Sequence, residues 1–293
     1  MKEGQNMSEP RQHYFHSQRL KLSYWTWGDP SNPPLILIHG GLDHSRAWDN
    51  VANNLKKDFF VVACDLRGHG DSDHAIGSHY GILDHVLDLI TLIDLLGGSA
   101  FVVSHSFGGS ISLLAGGLFP DRFKGIVSIE GAGPWIRTEE HVLPERIRQW
   151  AERTKKIEGQ DYRVYPTVEA ARDRIQEVHP KFSESLATHL ARWGTNAIAG
   201  GYVWKFDPWV NSRHMMFCLR LEEVEKIWLE ITCPVLHLCG DESTFDSDKV
   251  NGRSVNDYFA HSQTITIDNA GHWLHHDQLE STLEVVKMFL SDF

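Results

Sequence analysis

The chain predicts an α/β fold: a mostly parallel sheet covered by helices on both faces. Short continuous apolar runs alternate with longer stretches of helical periodicity, which is the pattern of strands buried on both sides. One tryptophan-rich helical stretch interrupts that alternation, and several apolar runs end in small or polar turn residues.

Taken in order, strand-like runs lie at Leu20 to Trp27, Leu35 to Ile38, Phe59 to Cys64, Phe101 to Val103, Gly125 to Ile129, Val235 to Cys239 and Gln263 to Ile267. The clearest helix runs from Ile82 to Leu96, with Leu83, Val86, Leu87, Ile90 and Ile93 at helical spacing and Gly97-Gly98 as its stop. From Gly131 to about Glu230 strand signals vanish. Charged helical patterns take over, broken by Pro144, Pro166, Pro180 and Pro208. Six of the ten tryptophans fall there, which favours a helical cap over one edge of the sheet. Most of these aromatics are expected to form the cap's own core. The segment Gly200 to Pro208 is the best candidate for a pocket lining, as a loop or short helix. The expected division is a disordered leader (1–13), a core (14–131 and 231–293) and a cap (132–230).

With 293 residues, 41% of them hydrophobic and 23% charged, the chain has the balance of an ordinary globular protein. No apolar stretch reaches the roughly 20 residues that span a bilayer, and Met1 to His13 lacks the apolar core of a signal peptide. A cytoplasmic location is the resulting expectation. The formal charge of −11 argues against nucleic acid or an anionic membrane as partner. Trp135 to Glu230 carries fifteen basic and fifteen acidic side chains, so the excess lies on the remainder. Cys64, Cys218, Cys233 and Cys239 match no zinc-site spacing and read as reduced thiols. Oligomeric state leaves no mark on the sequence.

The octet Val102-Val103-Ser104-His105-Ser106-Phe107-Gly108-Gly109 carries most of the functional signal. An apolar strand runs into a serine, two glycines and a helical run, the context in which G-x-S-x-G raises a nucleophilic hydroxyl above a sheet. Ser104 replaces the first glycine. Pro34 to Ile38 ends in His39-Gly40-Gly41, whose backbone N–H groups suit an oxyanion hole. Phe59 to Cys64 opens into Asp65-Leu66-Arg67-Gly68-His69-Gly70-Asp71-Ser72, and Asn269-Ala270-Gly271-His272-Trp273 follows the last strand. In this order the four segments resemble the α/β-hydrolase family, from about Leu20 to Leu290. The resemblance implies an eight-stranded sheet with the cap inserted after the sixth strand. It also implies Ser106 as nucleophile, His272 as general base, and Gly41 and Phe107 as oxyanion donors.

Among 18 histidines, only His272 follows the last strand. His275 and His276 lie nearby, but acidic ligands at metal spacing are lacking apart from Asp277, so no metal is expected. The acid is less determined. The family usually carries it three residues beyond the glycine that ends the seventh strand, and here Ser243 holds that place. A second family arrangement puts the acid at the end of the preceding strand, where this chain has Glu130, the favoured candidate. Asp246 and Asp241 remain alternatives.

Family members with an Asp nucleophile form alkyl-enzyme esters, which Ser106 does not. The expected activity is a serine hydrolase cleaving a carboxylic ester, a lactone or a thioester through an acyl-enzyme, without a cofactor. Its substrate is a small molecule, apolar or aromatic, in a pocket that includes Trp135, Tyr202, Trp204 and Trp273. Two alternatives stand beside it: a C–C bond hydrolase of the meta-cleavage-product type, and a non-catalytic ligand receptor on the same fold.

Overall fold

Leu35 and Leu37 face one side of a sheet while Ile36 and Ile38 face the other, and all four are fully buried. That is the consequence of side chains alternating along a strand. The computed structural model describes residues 9–77, 80–132, 143–160, 162–212, 219–245 and 247–292. In chain order the sheet uses β1 (Arg11–Ser17), β2 (Leu20–Trp27), β3 (Pro34–Ile38), β4 (Phe60–Cys64), β5 (Ala100–His105) and β6 (Phe123–Ile129). Across it the order is β1-β2-β4-β3-β5-β6-β9-β12, with β9 at Val235–Gly240 and β12 at Ser262–Ile267. The pairs β1–β2 and β2–β4 are antiparallel, and the other five are parallel. The expected eight-stranded, mostly parallel sheet is what the chain forms.

One face packs against α1 (Asp49–Leu55) and α9 (Leu279–Ser291), through Val51, Leu55, Leu283, Val286 and Phe289. The other packs against α2 (Ile82–Leu95), α3 (Phe107–Leu118) and α7 (Leu221–Trp228). Gly97 and Gly98 close α2 with φ of +106° and +91°, and the Gly98 N–H reaches back to the Ile93 carbonyl. These left-handed values are the reason glycine stands there.

After β6 come α4 (Leu143–Glu158), α5 (Val168–Val178) and α6 (Glu184–Gly194), then a hairpin of β7 (Thr195–Ile198) and β8 (Gly201–Trp204). Thr167 and Ser183 cap α5 and α6 through their side-chain oxygens. The two-residue strands β10 (Lys249–Val250) and β11 (Arg253–Ser254) and the single turn α8 (Leu274–Asp277) complete the chain.

Three expectations need correction. Residues 1–13 are not all leader, because β1 begins at Arg11 and pairs along its whole length with β2. Its sequence is polar because only Phe15 and Ser17 are buried, and backbone pairing holds the rest. The segment 200–208 is neither loop nor helix at its start. It enters β8, with Gly200 and Gly201 at φ of +92° and +147°, and a Cβ on Gly201 would stand 2.2 Å from the Tyr165 carbonyl oxygen. Finally, α7 lies within the expected cap interval 132–230 yet packs on the sheet layer, with Leu221, Val224 and Trp228 in the main core. Cys64, Cys233 and Cys239 are buried free thiols, while Cys218 lies outside the described residues. No described helix is long and apolar enough to cross a membrane.

Candidate active site

Ser106 occupies the one-residue bend between β5 and α3 with φ 51° and ψ −115°, a conformation costly for any residue with a Cβ. Its N–H donates to the Ile129 carbonyl at 2.8 Å. The glycines that follow are there for space. A Cβ on Gly108 would lie 2.6 Å from the Ile38 oxygen, and one on Gly109 would lie 2.6 Å from Gly131 Cα. Ser104, where the motif usually has glycine, places its hydroxyl 2.7 Å from Ser112 Oγ and 3.0 Å from the Val127 carbonyl. That hydroxyl ties β5 to α3 and to β6, so the replacement is accommodated by hydrogen bonds.

His272 follows β12, and its Nδ1 lies 3.2 Å from Glu130 Oε2. Glu130 stands just past β6, is 1% exposed and has φ +52°. Two further donors reach its carboxylate: Gly240 N–H to Oε1 at 2.8 Å and the Ser243 hydroxyl to Oε2 at 2.7 Å. A buried carboxylate with three such partners has its lost hydration replaced. Ser243, in the usual acid position, therefore serves the acid carried by the neighbouring strand. Asp241 is exposed and accepts from the Ala270 N–H at 3.1 Å. Backbone N–H groups at Asn269 and Ala270 hold its carboxyl below the usual range, and no bond joins it to the His272 ring. Asp246 lies outside the described residues. On the other side His105 Nε2 bonds the His272 carbonyl at 2.8 Å, with ring centroids 4.7 Å apart.

The turn after β3 rests against the serine: a Cβ on Gly40 would meet Ser106 Cβ at 3.2 Å and His105 Nδ1 at 2.8 Å. His39 Nε2 accepts from the Leu66 N–H at 3.0 Å, so its Nδ1 carries the proton donated to the Gly40 carbonyl at 2.6 Å. In a planar trans peptide, fixing that carbonyl fixes the opposed Gly41 N–H. Phe107 is the first residue of α3, so its N–H belongs to the positive end of the helix.

A cavity of about 450 Å³ extends from Gly41 under the cap, walled by Ile175, Phe182, Leu190, Trp204, Phe206 and Trp273 among others. Trp204 and Trp273 line it as expected. Tyr202 does not, because its side chain packs against the cap cluster of Tyr165, Ala171 and Ala191, of which Tyr165 lines the cavity instead, and Trp135 lies outside the described residues. Among the described residues no three His, Cys, Asp or Glu side chains converge as a metal site. His275 instead stacks on Trp48 and His276 packs edge-on to Phe182.

Residues 33–279 match the family described as alpha/beta hydrolase fold. The chain belongs to that family. It is 23% identical over 274 residues to a serine hydrolase-like protein of Danio rerio, covering 90% of this chain and 83% of that one. It is 25% identical over 290 residues to epoxide hydrolase 4 of Mus musculus, covering 93% and 77%. Among solved structures, the thioesterase domain from the curacin biosynthetic pathway superposes with a TM-score of 0.83 at 22% identity, over 95% of this chain and 99% of that one. At that identity the superposition speaks for the fold alone.

Within this alpha/beta hydrolase fold protein, sequence reading missed Asp43 and His44, which line the cavity, while Lys205 lines it within the segment Gly200 to Pro208 expected to do so. Burial pushes the Asp43 carboxyl up to about 7, with the charge of Asp65 adding to it, and pushes the His44 imidazole down to about 3. His44 Nε2 bonds the Leu190 carbonyl at 3.1 Å, and Lys205 pairs with Asp71 at 2.6 Å, so both join cap to core. The available signal was an acid two residues beyond Gly41, immediately after a predicted oxyanion turn.

Proposed function

We propose that the protein is a serine hydrolase of carboxylic esters working through an acyl-enzyme. The observation that carries this reading is the 3.2 Å contact of His272 with the buried Glu130, beside the bend that presents Ser106. With Nδ1 turned to Glu130, the Nε2 of His272 is the nitrogen available to the serine. In the proposed reaction it takes the Ser106 proton as Oγ attacks the carbonyl carbon, and the oxyanion settles on the Gly41 and Phe107 N–H groups. The imidazolium then protonates the departing alcohol. Water, deprotonated by the same nitrogen, attacks the acyl carbon and releases the acid and Ser106.

The serine also discriminates among chemistries named in the family. Opening an epoxide on Ser106 would leave an alkyl ether with no carbonyl for water to attack, whereas an acyl-serine is hydrolysable. Small esters, lactones and thioesters suit a cavity of about 450 Å³ with aromatic walls. The test is labelling by a fluorophosphonate together with turnover of a panel of p-nitrophenyl esters, in wild type and Ser106→Ala. Labelling at Ser106 and ester turnover, both lost in the variant, are the expected results. Turnover of vinylogous diketones without esters would favour C–C cleavage, and ligand binding without turnover would favour a receptor.

A further inference from the structure

Asp43 is a carboxyl group in the wall of the cavity, two residues beyond Gly41. Leu42, at φ +67°, turns the chain between them. Asp43 Oδ1 accepts the His44 N–H at 2.9 Å, and Oδ2 has no hydrogen-bond partner among the described residues. Nor does any described cation pair with it. The nearby cations are already engaged: Lys205 holds Asp71 at 2.6 Å, Arg46 holds Asp49 at 2.5 Å, and Arg174 holds Glu177 at 2.6 Å.

A half-buried carboxyl that lines a cavity with no counter-ion and one oxygen unpartnered among the described residues is the kind of group that a ligand completes. We propose that Asp43 is a specificity residue whose Oδ2 hydrogen-bonds a hydroxyl group on an uncharged ester substrate. This deepens the esterase reading of the site and rests on it.

Two features select a hydroxyl from among polar groups. The cavity's described lysine and its one described arginine, Lys205 and Arg174, already hold carboxylates, and His44 and His276, both pushed down to about 3 by burial, and His179, also lowered by burial, stay neutral at pH 7. An anionic substrate therefore finds no unengaged cation there, and an ammonium group would share the cavity with the Lys205 charge. Asp43 itself, pushed up to about 7, is divided between carboxylate and carboxylic acid at neutral pH. A hydroxyl donates to the first and accepts from the second, whereas an N–H group serves only the first. The proximity to Gly41 places this contact close to the scissile carbonyl.

The experiment compares isosteric ester pairs differing by a hydroxyl in place of a methyl. Hydroxyethyl butyrate against propyl butyrate probes the alcohol side, and methyl beta-hydroxybutyrate against methyl isovalerate probes the acyl side. The kcat/KM ratio is read within each of wild type, Asp43→Ala and Asp43→Val, so a loss of folded protein cancels. In wild type one pair favours the hydroxylated ester by roughly tenfold to a hundredfold, the range for a hydrogen bond to a charged group. In both variants that preference falls to near unity. A wild-type ratio near one in both pairs, or a preference that survives in the variants, overturns the proposal. A stronger preference for aminoethyl butyrate overturns it in favour of charge recognition. Turnover of plain esters without hydroxyl preference sinks this inference alone, whereas no ester turnover by wild type sinks the esterase reading with it.

Discussion

Ser243 gives its hydroxyl proton to Glu130 Oε2 at 2.7 Å, the same oxygen that lies 3.2 Å from His272 Nδ1. In the proposed triad, the residue in the family's usual acid position thus orients a carboxylate that stands just past the preceding strand. Replacing Glu130 by Gln keeps the shape and removes the charge that stabilises the imidazolium. Its kcat for esters is expected to fall by about four orders of magnitude, as for other neutralised triad acids. Ser243→Ala removes one of three donors, and a loss of roughly tenfold is expected. Equal losses in the two variants, measured by steady-state kinetics, would contradict this division of roles.

The bend at Ser106 stores strain, because φ 51° with ψ −115° suits glycine alone. Ser106→Ala and Ser106→Gly both lose the attacking oxygen, yet they should differ in stability. The glycine variant is expected to be more stable by about 1 kcal/mol, or about 2–4 °C in thermal midpoint. Calorimetry on the pair checks it, and an alanine variant equal to or above the glycine variant would count against strain.

Gly108 has no room for a methyl group, since its Cβ would meet the Ile38 and His39 carbonyl oxygens at 2.6 and 2.7 Å. Both are backbone atoms that cannot swing aside. Gly108→Ala should lose about 1–3 kcal/mol in urea unfolding and should slow fluorophosphonate labelling by displacing the bend.

Acid is expected to weaken the fold. Burial holds His44, His237 and His276 neutral, each at about 3, against 6.5 in an unfolded chain. Between those values the unfolded chain binds more protons, so this stability is fully present above 6.5 and is lost as pH falls towards 3. Near pH 5 the loss is roughly 2 kcal/mol per histidine. Asp43, raised to about 7, acts oppositely: its folded form binds the proton first, so acidification from 7 towards 3.8 stabilises. It offsets about one of the three histidines, and the net direction is down. Thermal midpoints at pH 7 and pH 5 measure it, and Asp43→Asn should steepen the fall.

Seven of the sheet's eight strands were legible: β3, β4, β5, β6 and β9 as the apolar runs that burial on both faces writes, and β2 and β12 as partly buried runs rich in aromatic or β-branched residues; β2 was read with its observed ends, Leu20 and Trp27. The eighth, β1, was invisible because backbone pairing carries an edge strand whose side chains stay largely polar. The layer to which α7 belongs was not legible either. Leu221, Val224 and Trp228 give the apolar stripe of any amphipathic helix, which shows that a face is buried and not against what. At the site, Ser106 and His272 were singled out from turn chemistry, position after a strand and the family resemblance. Glu130 was favoured because a second family arrangement puts the acid at that strand end, where a lone acid after an apolar run needs a partner. Asp43 was missed because the cap residues that share its cavity, among them Leu190 and Trp204, are distant in sequence.

The place of the proposed acid just past β6 changes what the stretch after β9 must do. Glu130 directly follows a central strand, and its carboxylate accepts the Gly240 N–H. In the proposed mechanism the connection between β9 and β12 then supplies one hydroxyl, that of Ser243, and one ring, that of Phe245, whose centroid lies 4.2 Å from that of His272. Within the connection leading to β12, Val250, Val255, Tyr258 and Phe259 are held in the main core, so the place free to be lengthened is the exposed turn at Asn251 and Gly252 between β10 and β11, and grafts there should leave the chemistry of Ser106 intact.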